Sequence, residues 1–305
     1  VGPLLERHLP EADRIFRVAF GTFLGLPDPS RFAADSDWVA TRWRTAPEAA
    51  FAASLGGELV GSVLAVRWGS VAFFGPISVR PDLWNRGVAK QLLEPTMELF
   101  ARWRTRLMGL FTFAHSEKHV GLYQRFGFWP RYLTAIMGRP VGATRVDAPP
   151  ATVGAVSDAG LQACRELTDT VFPGLDLGLE MRGVAAQRLG DTVLVADGSR
   201  VDALAVSHVG PGTEAGSGTC YVKFGAARPG PGAADRFARL LRACDAFAAA
   251  RGATTLLAGV NTARRDAYRQ MLAAGFRTVL QGVCMHRPDE PGYDRSDAFV
   301  LDDWR

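Results

Sequence analysis

The sequence predicts an α/β (α+β) protein made of two tandem copies of one unit. Each copy is expected to hold a mixed, mostly antiparallel sheet with a parallel strand-helix-strand section and helices on both faces. Three observations predict this. The length is 305 residues, which corresponds to two domains at roughly 150 residues each. Two signatures recur at one fixed offset. The same order of hydrophobic periodicities runs through both halves.

Self-similarity at a fixed period is the signature of a repeated architecture. Gly127-Phe128 is followed, after eight residues, by Met137-Gly138-Arg139-Pro140, and Gly275-Phe276, after eight residues, by Met285-His286-Arg287-Pro288. The offset is 275 − 127 = 148, and it also separates Arg80-Pro81 from Arg228-Pro229. A repeat of this size is a domain, not a short solenoid unit. The expected division is 1–140 for the first unit, 141–153 for a linker, 154–288 for the second unit and 289–305 for a tail. The linker region, Gly142-Ala-Thr-Arg-Val-Asp-Ala-Pro-Pro, has no periodicity and is rich in breakers.

In the first unit, Pro10 to Ala19 carries Ile15, Phe16, Val18 and Ala19 on one side and reads as a helix. Ser36 and Asp37 are cap residues for a second helix through Trp43. Ala50 to Leu55, Gly56-Gly57 and Glu58 to Trp68 read as a hairpin. Val71 to Val79 is a strand, Val88 to about Arg104 a long amphipathic helix, and Met108 to Ala114 a short strand. Ser116 caps a helix that ends near Phe126, and Phe128 to Met137 closes the unit as a strand.

The second unit follows suit. Helices are expected over Asp158 to Val171 and Leu177 to Arg188, then a hairpin from Thr192 to His208 around Asp197-Gly198. Cys220 to Ala227 and Thr255 to Val260 are strands separated by a helix, Ala233 to Ala250. A helix over Thr262 to Ala273 and a strand over Phe276 to Met285 complete the copy. The apolar Ala298-Phe299-Val300-Leu301 of the tail is a candidate for one more strand. A hairpin requires antiparallel pairing, and the strand-helix-strand section a right-handed parallel crossover, so the sheet is mixed.

Composition excludes several classes of function. No apolar run reaches the roughly 18 residues that cross a bilayer, and Val1 to Glu6 lacks the basic and apolar regions of a signal peptide. The four cysteines, Cys164, Cys220, Cys244 and Cys284, form no C-x-x-C pair. They read as buried reduced thiols of a cytoplasmic protein, with no metal site. The net charge of +4 suits an anionic ligand. Arginines scattered among acidic residues give no nucleic-acid stripe, and no membrane partner is expected.

The most informative stretch runs from Gly75 to Leu93. A strand ends, a polar loop follows, and Arg86-Gly87-Val88-Ala89 opens a long helix. Small residues let the backbone approach a ligand, and the first N–H groups of the helix have no internal partner. Together with the positive end of the helix dipole they form a seat for a pyrophosphate, to which Arg86 and Lys90 add charge. An ordinary strand-to-helix turn has the same outline. A dinucleotide site is disfavoured, since Gly-x-Gly-x-x-Gly is absent. The second stretch is Ser116-Glu-Lys-His-Val-Gly-Leu-Tyr-Gln-Arg-Phe-Gly127-Phe128, with three residues between Leu122-Tyr123 and Gly127-Phe128.

These two elements, in this order and spacing, resemble the GNAT N-acetyltransferase superfamily. Arg86-Gly87-Val88-Ala89 is similar to its pyrophosphate loop, and Leu122-Tyr123-x-x-x-Gly127-Phe128 to its Leu-Tyr-x-x-x-Gly-Phe element. The resemblance spans residues 1 to about 140 and recurs from about 151 to 288. It implies acetyl-CoA as co-substrate and an amine acceptor. Ile77, Ser78 and Val79 would pair with the pantetheine arm, and the Val79 N–H would polarise the thioester carbonyl. Trp84, Asn85, Arg86, Gly87, Val88, Ala89 and Lys90 would hold the pyrophosphate, with Ser116 beside the coenzyme. Tyr123 would be the general acid, and His115 a base or a member of a water chain. His119 reads as structural, and Tyr123 as a core aromatic if the motif is set aside.

The sequence also departs from the family. Trp84 stands where Arg or Gln is usual, Ser116 where Asn is common, and His119 where a small Ala often sits. No carboxylate occupies the strand near Gly75-Pro76, where an acidic base is frequent. In the second copy Met271 matches Tyr123 at the same offset, and the loop before Gly232 is three residues shorter. A degenerate second unit is therefore expected, with the first unit catalytic. A non-catalytic acyl-CoA sensor or assembly module, or an acyltransferase like the tandem GNAT enzymes of mycothiol biosynthesis, is compatible with the same residues. A homodimer is left open.

Overall fold

The computed structural model describes residues 1–142, 157–198 and 200–305. From residue 143 on, the expected linker lies outside the described residues. In chain order the first unit contains β1 (Gly2–Pro3), α1 (Leu9–Phe23), α2 (Val39–Thr45), β2 (Ala50–Leu55), β3 (Glu58–Trp68), β4 (Val71–Val79), α3 (Val88–Trp103), β5 (Leu107–Thr112), α4 (Glu117–Gln124) and β6 (Trp129–Pro140). The second contains α5 (Asp158–Val171), α6 (Gly178–Gln187), β7 (Gly190–Asp197), β8 (Arg200–Gly210), β9 (Gly216–Ala227), α7 (Ala233–Ala250), β10 (Thr255–Asn261), α8 (Arg265–Ala273) and β11 (Arg277–Arg287). The tail adds β12 (Val300–Leu301).

The local causes are those the sequence suggested. The β2–β3 turn places Gly56 and Gly57 at φ 59° and 86°, a region that favours glycine. Asp37 Oδ1 accepts from the Ala40 N–H at 2.8 Å and caps α2. Ser116 and Ser157 cap α4 and α5 with their hydroxyls. Helix α1 runs further than expected, through Phe23, because Phe20 and Phe23 continue its apolar face.

The described strands form one sheet, in the order β1-β2-β3-β4-β5-β11-β6-β10-β9-β8-β7, with β12 beside β9. Pairs β4–β5 and β9–β10 are parallel and the others antiparallel. The two units exchange their last strands. Strand β11, from the second copy, pairs with β5 of the first. Strand β6, from the first copy, pairs with β10 of the second. The exchanged strands pair with each other at the centre.

Packing follows the exchange. Val283 and Met285 of β11 lie in the core under α3, with Leu92, Phe100 and Phe128. Ala135 and Met137 of β6 lie in the core under α7, with Phe237 and Leu240. Each unit thus completes its core with a strand from the other. A third core joins them, with Trp68 and Phe73 against Phe224 and Trp304. The four cysteines are buried and unpaired. Among the described residues, no helix is long and apolar enough to cross a membrane.

Candidate active site

Strand β4 leaves β5 part-way along its length. Val71, Ala72 and Phe73 pair with Leu107, Met108 and Gly109, and the pairing stops there. On its other side β4 stays paired with β3 to Val79, apart from an irregularity opposite Gly75-Pro76, where proline has no N–H to give. From Ile77 to Val79 the strand therefore has one paired edge and one edge without a strand. An extended ligand with amide groups can bond to such an edge.

The loop after β4 turns the chain into α3. Trp84 Nε1 donates to the Val79 carbonyl at 2.8 Å and ties the loop to the strand end. Asn85 has φ 65° and Gly87 φ 80°, so two left-handed residues bring the chain into the helix. Gly87 is the N-cap, and a Cβ built on it would meet nothing within 4 Å. The first helical bond runs from Gln91 N to Gly87 O. The N–H groups of Val88, Ala89 and Lys90 thus begin the helix without helical partners. Arg80 belongs to a different structure, an ion pair with Asp82 and Glu58.

Helix α4 faces this loop. The Tyr123 ring packs 5.7 Å from that of Phe74, and burial pushes its phenol pKa up. The group is protonated at neutral pH and can act as a donor. One turn earlier on the same helix stands His119, 4.9 Å from the Phe23 ring. Burial, with Lys118 and His115 nearby, lowers its pKa from 6.5, so the imidazole is neutral at pH 7.

These elements surround a cavity of about 860 Å³. Of the residues expected from sequence, Ile77, Ser78, Val79, Trp84, Asn85, Gly87, Val88, Ala89, Lys90 and Tyr123 line it. Arg86, His115 and Ser116 do not. Arg86 is exposed on the loop, and Ser116 is spent on the α4 cap, accepting from His119 N at 3.4 Å. His115 is exposed and stacks on Phe23 at 5.8 Å. The imidazole lining the cavity is that of His119, which the sequence reading took as structural.

The far end of the cavity comes from the second unit, through Glu214, Ala215, Leu257, Leu280 and Arg305. Sequence reasoning missed these residues, because only the strand exchange and the tail bring them across. Glu214 is tied to β4 through Arg42 and is engaged. Arg42 donates to both its oxygens, at 2.9 and 2.8 Å, and also to the Gly75 carbonyl. Lys223 Nζ lies 2.7 Å from Glu214 and 2.9 Å from Glu180. Burial would raise the Glu214 pKa, but Arg42 and Lys223 outweigh it and hold the carboxyl far down. It is a weak base that ties the two units together. Among the described residues, no His/Cys/Asp/Glu cluster is arranged to hold a metal.

The model of the acetyltransferase (GNAT) family matches residues 13–128, the segment that holds the splayed strand, the loop and Tyr123. Solved structures extend the likeness over both units. A Pyrococcus horikoshii protein described as a candidate acetyltransferase aligns at TM-score 0.69 and 15% identity, over 99% of this chain and 93% of its own. A GCN5-related N-acetyltransferase from Sphaerobacter thermophilus aligns at 0.58 and 15%, over 94% of each chain. A tandem GNAT protein from the clavulanic acid biosynthesis pathway aligns at 0.54 and 13%, over 93% of this chain and 97% of its own. Over both units the fold is that of these acetyltransferase structures, one of them a tandem GNAT protein. No curated protein matches its sequence.

The two units differ where it matters for a ligand. The positions 148 after Ile77, Ser78 and Val79 are Gly225, Ala226 and Ala227. There β9 has also left β10, but β12 fills the gap. Val300 pairs with Ala226, Leu301 pairs with Gly225, and Ala227 N donates to Phe299 O at 3.0 Å. The side chains of Phe299 and Leu301 complete the core under α7. Gly232 starts α7 at φ 78°, as Gly87 starts α3, but Arg236 folds back over the loop and donates to the carbonyl of Arg228 at 2.8 and 3.0 Å. Met271 is fully buried.

Proposed function

We propose that this protein transfers the acetyl group of acetyl-CoA to a primary amine of a small molecule or peptide. The catalytic half is 1–140. The half 154–288 is degenerate and serves as scaffold and cavity wall, with the tail 289–305 built into it. The observation that carries this reading is the open edge of β4 leading to a helix N-terminus begun by Gly87, with Tyr123 on the wall of the same cavity.

Acetyl-CoA supplies an acyl group activated as a thioester. The N–H groups of Val88, Ala89 and Lys90 bind the pyrophosphate charge, and Lys90 adds its ammonium. The backbone of Ile77 to Val79 aligns the pantetheine amides along the strand. The Val79 N–H bonds the carbonyl oxygen as negative charge develops there. Tyr123 gives its phenolic proton to the departing sulfur. The amine must lose a proton as the new C–N bond forms. With Glu214 engaged and His115 outside the cavity, we assign that proton to His119, directly or through water.

The test is calorimetry with CoA on wild type and Gly87→Glu. The variant puts a carboxylate where the phosphate would sit, at a φ that only glycine adopts freely. Binding should be lost while circular dichroism stays native. Unchanged affinity would place the coenzyme elsewhere and sink the reading. A second reading, a sensor that binds acyl-CoA without turnover, predicts CoA binding with no thiol release for any amine.

A further inference from the structure

We propose that the acceptor amine carries an apolar, ring-sized body, which lies against an aromatic wall at the α1 end of the cavity. The proposal rests on the acyl-transfer reading above and names the class of its second substrate.

The wall consists of Phe20, Phe23, Phe32, Trp38, Phe111 and Phe113. None of the six is fully buried. Four of them form a chain of ring contacts, from Phe32 through Phe20 and Phe113 to Phe23. Phe20 stacks on Phe32 at 5.4 Å and 20°, and Phe23 lies 5.0 Å from Phe113. Each ring keeps part of its surface toward the cavity. Single exposed apolar side chains are ordinary, but a contiguous concave set marks a binding surface. The sequence spacing fits this. Phe16, Phe20 and Phe23 fall on one face of α1; Phe16 is buried in the core and Phe20 packs partly against it.

The wall continues from the proposed reaction site. Along β4 the lining runs from Val79, at the loop, to Gly75 and Phe74, at the end where Trp38 and Glu214 also stand. An amine that reaches a thioester beside Ile77 from the side away from the pyrophosphate comes in past these rings. The cavity holds about 860 Å³, enough for an extended arm and a second small molecule.

Charge argues against the other acceptor classes. A polycation needs available carboxylates. Among the described lining residues, Glu214 is held by Arg42 and Lys223, and Glu117 sits in the first turn of α4. Lys90, Lys118, Arg125 and Arg305 give the lining an excess of positive charge. A polyhydroxylated amine needs many hydrogen-bonding side chains, and six aromatic rings offer few. A long acyl chain on the donor has the same apolar chemistry, so the experiment must separate the two.

The experiment is calorimetry on the full chain saturated with CoA, titrated with 4-phenylbutylamine, 1,4-diaminobutane and glucosamine. Thiol release from acetyl-CoA is measured for the same three amines. The phenyl compound should bind at least about tenfold more tightly than the other two, as expected for an apolar pocket. Phe32→Ser or Phe113→Ser should remove that preference while CoA affinity stays within twofold. Equal binding of the three amines, or tighter binding of diaminobutane or glucosamine, overturns the proposal. So does a tenfold gain in affinity from acetyl-CoA to hexanoyl-CoA without discrimination among amines, which assigns the wall to the donor. Selective binding without thiol release keeps the apolar site and removes the transferase reading. Transfer without selectivity does the reverse.

Discussion

Leu301 pairs with Gly225 across an antiparallel bridge, at the register that Ile77 occupies in the first unit. A Cβ on Gly225 would stand 3.3 Å from the Leu301 side chain, so strand and tail are fitted closely. Among the described residues two strands splay from their parallel neighbours, and the tail fills the gap beside one of them.

One CoA per chain follows. Calorimetry on wild type should give a stoichiometry of one, carried by the first unit, because β12 takes the backbone edge of β9 and Arg236 takes the loop. Gly87→Glu should leave no binding at all. A stoichiometry of two, or residual tight binding in the variant, would mean that the tail leaves β9 and that the second unit is a working site.

Much of this was legible in the sequence. The offset of 148 holds in the structure from β4 to β9, β5 to β10, α4 to α8 and β6 to β11, and the shorter second loop lies between β9 and α7. What one chain of letters does not carry is partner choice. Strands β6 and β11 have the same pattern, so their apolar faces suit either core, and the exchange is decided by tertiary packing. The tail strand expected over Ala298 to Leu301 forms at Val300–Leu301, but with only two paired residues it carries no mark of its partner, β9. Glu214 and Arg305 are remote from the first-unit motifs and reach the cavity only through the joined fold. The roles of His115 and His119 turn on where α4 begins. Ser116 caps it, which leaves His115 outside and turns His119 inward.

The two histidines should therefore separate by mutation. His119→Gln should lower the rate of acyl transfer at neutral pH by about 10²-fold, as loss of a general base does. His115→Gln should stay within twofold. Steady-state kcat/KM for both variants with one amine decides the matter. The opposite ranking would return the proton to His115.

The buried charges joining the units predict an acid-labile fold. Burial alone would raise the Glu180 pKa, but Lys223 and His208 outweigh it and bring it from 4.5 down to about 2. Such a carboxylate stabilises the folded state above pH 4.5, and that stability is lost as pH falls from 4.5 toward 2. For a shift of this size the loss is about 3 kcal/mol. Glu180→Gln should be less stable than wild type at pH 7, since it leaves Lys223 with one buried partner. It should also show a flatter decline below pH 4.5. Denaturant unfolding at pH 7, 4.5 and 3 measures both, and parallel pH dependences for the two proteins would contradict the assignment.

A single-turnover measurement with acetyl-CoA and a reactive amine on wild type and Tyr123→Phe tests whether the first unit transfers the acyl group with Tyr123 as proton donor. The variant removes one hydroxyl and changes the volume little. The rate of the chemical step should fall by about 10²-fold or more. Affinity for CoA, read on the same samples, should change by only about 1 kcal/mol, the worth of one hydroxyl contact. A fall in rate of less than about threefold, or a parallel loss of rate and affinity, would show that Tyr123 packs or positions the coenzyme and donates no proton.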